Sequence, residues 1–414
     1  MPGEHASFIG SAWIVRTNRV SFAAMGKLHW VIRLGWVGWL SSGGGLACGS
    51  EPDSTRLDAP ARGSNESAFS GASAQRRMAR LGEQIFNDTN LSTPPGQACG
   101  TCHAEEISFS DPDGDVPTSA GVLEDRFGFR NTPMANYTSF VPPLTFDPAE
   151  GLFVGGLFLD GRAADLEAQA ALPFLNPLEM NNPDRAAVVA KLKHAPYRRE
   201  FQRQFGAEIF RDVEGAYESM TRAIAAFERT RRFQSFSSKY DAFLAGTAHL
   251  SRQERLGLAL FNDPAKGNCA ACHPSVLAED GSPPQFTDFT YDNIGVPRNP
   301  DNPFYRLPGE LNPEGVDFID RGLGKTVGDP AEDGKFRVSS LRNVALTAPY
   351  THNGYFPDLR SVVDFYNTRD VADWPAAELP ETMNRDELGN LGLSDQEVDA
   401  IVAFLETLTD GYSD

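Results

Sequence analysis

The sequence predicts a mainly α-helical fold made of two similar halves with long loops. Two observations lead to this prediction. The motif Cys-x-x-Cys-His occurs twice, at 99–103 and 269–273, and apolar residues recur at the three-to-four-residue spacing of helices. A sustained alternation of apolar and polar residues, which would indicate strands, is not seen. The chain of 414 residues is long enough for two or three domains.

The first 48 residues have the pattern of an export signal. Lys27 and Arg33 precede an apolar stretch, and small residues precede Cys48. A glycine run makes this stretch a poor transmembrane helix, which needs about 20 steadily apolar residues. The residues before Cys48 fit the lipoprotein pattern only loosely, so an ordinary export signal and a lipid anchor at Cys48 both stay open.

Composition then divides the rest of the chain. Residues 49–75 are rich in Ser, Gly, Asp and Pro, which predicts a flexible tether. Residues 104–160 and 274–350 hold many Pro, Gly, Asn and Asp residues and few periodic runs, which predicts long loops. Apolar periodicity and capping boxes predict helices near 78–85, 217–227, 251–254 and 394–408.

Each Cys-x-x-Cys-His motif is typical of covalent haem attachment. Two thiols on one helical turn can reach the two vinyl groups of a haem, and the adjacent imidazole then points at the iron. A zinc site or a redox dithiol is the alternative, but zinc takes four ligands around one ion and explains no histidine after each second cysteine. The predicted attachment residues are Cys99, Cys102 and His103 for the first haem c, and Cys269, Cys272 and His273 for the second.

The two motifs lie in a longer internal repeat. The sequences RLG at 80–82 and FND at 86–88 return at 255–257 and 261–263, at an offset of 175 residues. This repeat indicates one cytochrome c-like haem domain present twice, over residues 76–247 and 248–414. Because covalent haem attachment occurs after export, the motifs agree with the N-terminal signal. We therefore expect a protein in the periplasm, or a lipoprotein facing it.

The charge of the chain limits its partners. The formal net charge is −19, with 56 acidic and 37 basic residues. Nucleic-acid phosphates would repel such a chain, so no nucleic-acid partner is expected. The acidic balance is only a weak indication of a basic partner.

The histidine positions suggest that the first haem has an open iron face. The chain has seven histidines, and none lies between His103 and His194. His194 lies at a predicted helix end and is expected on the surface. An iron without a second strong protein ligand can bind small molecules such as hydrogen peroxide, whereas pure electron carriers usually close that position.

Several stretches resemble the di-haem bacterial cytochrome c peroxidase and MauG superfamily. The resemblance runs over roughly residues 76–410 and lies in GLFLDGRAADLEAQAALPFLNPLEM, RNTP, SLRNVALTAPYTHNG and VVDFY. The stretches GLFVGG, NPLEMNN, FTDFTYDNIGVPRNP and NRDELGNLGL are most similar to MbnH-type enzymes. This resemblance implies an enzyme that reacts with hydrogen peroxide. MauG and MbnH oxidise a partner protein, whereas the peroxidases take electrons from a small donor.

The resemblance also implies a catalytic glutamate above the first haem and a glutamine that lines the same pocket. The family's distal glutamate falls on Glu179, and the glutamine ten residues earlier falls on Gln169, with Pro173 between them. A carboxylate above an open haem can take a proton from bound peroxide and return it to the leaving oxygen. From the residue alone, Glu179 could equally be an acid flanking a helix.

For the second iron, the resemblance implies a tyrosine ligand. The peroxidases have a methionine fourteen residues after the histidine that corresponds to His352, and this position is Tyr366 here, as in MauG-type proteins. A phenolate is a hard donor that stabilises higher oxidation states of iron. Two rivals stay open as ligands, Met383 and His352, and Tyr366 could instead be a core aromatic.

Two further expectations follow from the resemblance. A calcium ion would be bound by oxygens of Asn131, Thr347 and Pro349, although a metal-free turn is the alternative. The family usually has tryptophan between the two haems, where this chain has Leu159. Fast sharing of charge through an indole is therefore in doubt, and Phe158 or direct tunnelling would have to replace it.

These observations favour peroxide-driven oxidation of a periplasmic partner protein, for which a small copper-binding protein is one candidate. The second hypothesis is a cytochrome c peroxidase that takes electrons from a small c-type cytochrome or copper protein. The third is an electron-transfer cytochrome without turnover. The open first iron argues against the third hypothesis, and Tyr366 argues against the second.

Overall fold

A computed structural model describes residues 63–413 of the chain. Helices dominate it, as the sequence predicts. The eleven α-helices of the described part are α1 (Gly63–Phe86), α2 (Cys99–Cys102), α3 (Leu166–Ala170), α4 (Arg185–Leu192), α5 (Arg198–Phe205), α6 (Val213–Glu228), α7 (Lys239–Leu244), α8 (Arg252–Asn262), α9 (Leu323–Val327), α10 (Leu359–Thr368) and α11 (Asp395–Glu406). Both predicted capping boxes are confirmed, because Ser251 and Ser394 open α8 and α11.

Strands are short and few in the described part of the chain. They form two antiparallel pairs, β1 (Thr145–Asp147) with β2 (Leu152–Val154), and β3 (Tyr291–Asp292) with β4 (Phe336–Arg337). Phe146 lies opposite Phe153 in the first pair. The remaining connections are loops with single turns of 3₁₀ helix, as the Pro- and Gly-rich stretches predict.

The internal repeat becomes two matching helix pairs. Helix α1 packs on α6, and α8 packs on α11. Both crossings depend on a glycine of the repeat, because a Cβ at Gly82 would overlap the Ala223 carbonyl, and one at Gly257 would overlap the Ala400 carbonyl. The glycines thus let the two backbones of each pair approach closely.

Two apolar clusters fill the interior, one for each half of the sequence. The first is centred on Phe86, Phe109, Phe227 and Phe233, and the second on Phe261, Phe286, Phe404 and Tyr240. Residues 61–414 form a single compact unit. The division into two domains at residues 247 and 248 therefore stays a prediction.

The N-terminal boundary of the ordered fold differs from the expected one. The composition predicts a tether over residues 49–75, but α1 already begins at Gly63. The composition does not mark this start, because Ala, Gln and Arg, which favour helices, replace Pro and Asp only from about residue 68 onward. The export signal and Cys48 lie outside the described residues. Within residues 63–413, no helix is both long and apolar enough to cross a membrane.

Candidate active site

The first attachment motif forms its own short helix. Cys99 and Cys102 are the ends of α2, and His103 follows directly. The His103 Nδ1 lies 2.9 Å from the backbone oxygen of Phe109. A carbonyl only accepts hydrogen bonds, so Nδ1 carries the proton and Nε2 keeps its lone pair for a metal.

The second motif repeats this arrangement. His273 Nδ1 lies 2.7 Å from the Phe286 backbone oxygen. Phe109 and Phe286 have φ values of 54° and 53°, in the left-handed region that side chains other than glycine rarely occupy. Both halves therefore use the same uncommon backbone conformation to orient the histidine. This pair of oriented imidazoles beside cysteine pairs fits two c-type haems.

A large apolar cavity lies beside the second motif. Cys269, Cys272 and His273 line it, together with apolar side chains of α10 and α11 such as Val363 and Ile401. Burial raises the pKa of the Cys269 thiol to about 12, so this cysteine stays a neutral thiol. All four motif cysteines are free of disulfide bonds. The size and lining of the cavity fit a haem held through these thiols.

Glu179 lies beside the first attachment motif. Its Oε1 accepts a hydrogen bond from the Asn176 amide at 2.7 Å, and its backbone oxygen accepts one from the Val122 N–H at 2.9 Å. Burial raises the pKa of the Glu179 carboxyl, although Asn176 and Arg162 oppose this shift. A raised pKa makes the carboxyl hold a proton more readily than an exposed one, which suits proton transfer.

Gln169 and Pro173 lie in the segment that leads to Glu179, and the Pro173 backbone oxygen accepts a hydrogen bond from the Met180 N–H at 3.2 Å. Gln169 is half-buried on α3, and α3 packs against the 3₁₀ turn that begins at Pro173. Burial, followed by the charges of Asp111 and Glu179, raises the pKa of the Cys102 thiol to about 12. The charge of Glu179 thus acts on the first attachment motif, and its position above the first haem stays a prediction.

The structure adds a second buried acid, Glu228, which the sequence reasoning missed. Its side chain lies near the end of α6, is only 6% exposed and has an oxygen, Oε2, without a hydrogen-bond partner. Burial raises the pKa of Glu228 to about 8. Its charge also contributes to the raised pKa of Cys99, after burial itself. The sequence feature that could have identified it is a lone acidic residue in the apolar helical run AIAAFERT.

Tyr366 lies on the wall of the second cavity, and Met383 does not. The Met383 sulfur packs against Gly295 instead. Burial, followed by the charge of Asp292, raises the pKa of the Tyr366 phenol. Coordination as a phenolate would therefore need the positive charge of iron to offset burial.

His352 also borders this cavity, and its buried Nε2 has no hydrogen-bond partner, so it stays open as a rival ligand. Its ring stacks on Phe336 at 3.8 Å between centroids. Its Nε2 lies 3.8 Å from the Glu378 carboxylate. The expected surface position of His194 is confirmed, since it is exposed at the end of α4.

The residues expected to bind calcium converge at the same cavity. Asn131, Thr347 and Pro349 all line it. The Asn131 amide nitrogen lies 3.0 Å from the Pro349 oxygen and 3.3 Å from the Pro117 oxygen. In the described part of the chain, no group of three or more His, Cys, Asp or Glu residues could hold a metal. A calcium ion here would thus depend on neutral oxygens, which suit it.

Leu159 lines the second cavity and is buried. Its carbonyl accepts a hydrogen bond from the Arg337 N–H at 2.8 Å. The preceding Phe158 stacks under the Arg162 guanidinium at 3.6 Å. An aliphatic side chain therefore occupies the place where the family usually has an indole.

Comparisons with known proteins agree with this geometry. The family model of the di-haem cytochrome c peroxidase matches residues 76–249. The chain is 40% identical over 370 residues to the methylamine utilization protein MauG of Paracoccus denitrificans, covering 85% of this chain and 92% of that protein.

Two solved structures are also similar. A variant of the di-haem peroxidase BthA from Burkholderia thailandensis, with methionine in place of a tyrosine, has a TM-score of 0.73 and 34% identity, covering 81% of this chain and 86% of that one. A MauG-like protein associated with microbial copper homeostasis has a TM-score of 0.61 and 30% identity, covering 81% and 90%. Together with the two oriented histidines, these similarities show that the chain belongs to the di-haem cytochrome c peroxidase and MauG family of peroxidase-type oxidoreductases.

Proposed function

We propose that the protein uses hydrogen peroxide to oxidise a partner protein outside the cytoplasm. The observation that carries this proposal is Tyr366 on the wall of the second haem cavity. A hard phenolate ligand favours oxidised iron, which suits an enzyme that stores oxidising equivalents rather than one that collects electrons. The similarity to MauG over most of the chain supports the same function. Two Cys-x-x-Cys-His motifs support an exported location, in the periplasm or anchored at its membrane surface through Cys48.

The chain's own residues have distinct roles in this proposal. His103 and His273 each present Nε2 to a haem iron, because a backbone carbonyl holds Nδ1. When bound, the two haems supply the peroxide-binding site and the capacity to hold oxidising equivalents. Glu179 accepts a proton from the nearer peroxide oxygen and delivers it to the oxygen that leaves as water. Gln169 on α3 orients the peroxide by hydrogen bonding.

A small copper-binding protein is one candidate for the partner. The support is similarity to a MauG-like protein associated with microbial copper homeostasis. The acidic net charge of −19 would favour a basic docking surface on such a partner.

The Tyr366→Met variant tests the proposed function. In the wild type, ascorbate should leave both haems oxidised, because a phenolate lowers the reduction potential. The variant should have one haem that ascorbate reduces, and near-infrared magnetic circular dichroism should show a new methionine-to-iron band. Met383→Leu is the matched control and should behave as the wild type. A methionine-to-iron band in the wild type itself would contradict the proposal.

The second candidate function is that of a cytochrome c peroxidase. The chain's family carries that name, and the similar protein BthA is called a di-haem peroxidase. In that case a small c-type cytochrome or copper protein would donate electrons. The ascorbate experiment separates the two candidates, because a peroxidase needs a readily reduced second haem. The third hypothesis, an electron carrier without turnover, does not agree with membership of this enzyme family.

We also propose that calcium binds between Asn131 and the turn at 347–349. These residues come from distant parts of the sequence and meet at the second cavity. Calcium removal by EGTA should therefore lower the melting temperature and change the absorption of the second haem. Added calcium should restore both, and magnesium should not, because it retains its water and demands a smaller octahedral site. An unchanged melting temperature in EGTA would contradict this site.

A further inference from the structure

An aromatic cluster connects the second cavity with the protein surface. Phe365 on α10 lies 4.9 Å from Phe356 and 5.3 Å from Trp374, measured between ring centroids. Phe356 and Trp374 are 6.0 Å apart, and Tyr355 is 4.9 Å from Phe356. Tyr366 packs against the same cluster. The side chain expected to bind the second iron is therefore in an aromatic network.

Trp374 is the member of this network that can be oxidised most easily. It is the one tryptophan among residues 63–413. Phenylalanine rings resist oxidation, whereas an indole can lose one electron and form a short-lived cation radical. The indole N–H donates a hydrogen bond to the Thr368 hydroxyl at 3.0 Å. The indole can thus lose an electron without releasing this proton.

The position of Trp374 gives it access to solvent. Its side chain is half-buried, with one side in the aromatic cluster. The next residue, Pro375, lines a surface cavity together with Tyr355, Tyr305 and Arg298. An oxidisable side chain of a partner bound at this cavity would contact Tyr355 and Pro375, and Tyr355 connects to the indole through Phe356. Leu159, in contrast, is buried and aliphatic.

We propose that Trp374 is the point through which electrons enter from the partner. Trp374 loses one electron toward the second haem site, by way of Tyr366 and the aromatic contacts, and then regains one electron from the partner. Reduction of one hydrogen peroxide to two waters consumes two electrons and two protons, so two such transfers complete a turnover. This inference rests on the proposed function, which supplies peroxide as the oxidant.

Rapid-freeze electron paramagnetic resonance tests this route on the haem-loaded full chain. Hydrogen peroxide is added without a partner to the wild type, to Trp374→Phe and to Trp374→Tyr, each grown with ring-deuterated tryptophan. Tryptophans 13, 30, 36 and 39 are common to all three proteins, so differences report on residue 374. Circular dichroism checks that the three proteins are folded alike.

The wild type should show an indole radical whose hyperfine structure changes on deuteration, and Trp374→Phe should lose it. The oxidised haem absorption should also persist longer in Trp374→Phe, because the nearest electron source is gone. Trp374→Tyr should restore a faster decay and give a tyrosyl signal instead. Mass spectrometry after repeated peroxide additions should find oxygen added at Trp374 of the wild type.

Two results would overturn the inference in distinguishable ways. If peroxide changes the haem absorption but radical spectra and decay rates are the same in wild type and Trp374→Phe, the route is wrong and the proposed function stands. If peroxide leaves the haem absorption of the wild type unchanged, the proposed function fails and the Trp374 route fails with it.

Discussion

At the scale of single residues, the proposed chemistry at the first haem depends on one buried carboxyl. Glu179 is held by Asn176 at 2.7 Å, and burial raises its pKa. Both effects suit the proposed proton transfer, since the amide fixes the position of the carboxyl and burial makes it hold a proton more readily. The unpartnered Glu228 is also buried but lies on helix α6, whereas Glu179 lies in a turn.

The Glu179→Gln variant should slow the reaction with peroxide by about 100-fold or more, because a glutamine keeps the shape but transfers no proton. Stopped-flow absorption of the haem-loaded protein measures this rate. Haem content and cyanide binding should match the wild type. Glu150→Gln, at an exposed position of the β1–β2 turn, is the control and should react normally. A Glu179→Gln rate equal to that of the wild type would remove Glu179 from the mechanism.

The positive φ values of Phe109 and Phe286 occur at two equivalent places 177 residues apart. Each residue buries its ring in the core and turns its carbonyl toward the proximal histidine. Such a conformation is unfavourable for a phenylalanine by itself, so tertiary packing must maintain it. The histidine orientation therefore depends on the apolar core as much as on the motif.

At the scale of elements, the crossing of α1 and α6 is as close as the crossing of α8 and α11. Gly82 faces the Ala223 carbonyl at this crossing, whereas a methyl group added at Gly71 of the same helix would have no atom within 4 Å. The two glycines therefore differ in packing although they share one helix. This difference makes them a matched pair for substitution.

Gly82→Ala should destabilise the protein by about 1–3 kcal/mol, because the added methyl group forces the helices apart. Gly71→Ala should instead stabilise it by roughly 0.4–1 kcal/mol, because alanine favours the helix and restricts the unfolded chain. Urea unfolding followed by circular dichroism measures both changes. Equal effects of the two substitutions would show that the α1–α6 contact is looser than described.

The repeat also shows where equivalent elements differ. Leu81 is completely buried, whereas Leu256, at the same repeat position, is 46% exposed. Helix α1 packs against α5 as well as α6, and this additional contact lies in the first half of the chain. The same three-residue sequence thus has different surroundings in the two copies.

At the scale of the whole molecule, a buried ion network joins distant segments. The Arg130 guanidinium contacts Asp320 at 2.6 Å and Asp160 at 2.8 Å. The side chains of all three are at most 9% exposed. Asp160 also pairs with Arg162, whose charge acts on Glu179. The network therefore extends from the surroundings of the first haem to residues that line the second cavity.

Arg130→Met should lower the free energy of unfolding by about 3–5 kcal/mol, because it leaves two buried carboxylates without their cation. The methionine retains most of the apolar stem, so the loss reports mainly on charge. Arg321→Ala breaks the exposed Arg321–Asp333 pair and should have little effect. Guanidinium would screen these charges, so urea unfolding is the suitable measurement. If Arg130→Met lowers the free energy of unfolding only slightly, water must hydrate the two aspartates in place of the guanidinium.

The sequence by itself determined the haem attachment sites, because their residues are adjacent in the chain. A haem attachment motif is complete within five positions, so both sites could be identified without a fold. The repeat predicted the equivalence of α1 with α8, and the capping boxes predicted where α8 and α11 begin. The predicted start of α1 is too late, because helix propensity rises gradually there and leaves no sharp boundary.

Only the tertiary structure decided which distant side chains share an environment. The exclusion of Met383 from the second cavity, the unpartnered Glu228, the Arg130 network and the aromatic contacts of Trp374 all depend on segments far apart in sequence. A residue type fixes what a group can do, but burial and neighbours fix its pKa and its partners. Those quantities come from packing over long sequence separations, which local patterns do not record.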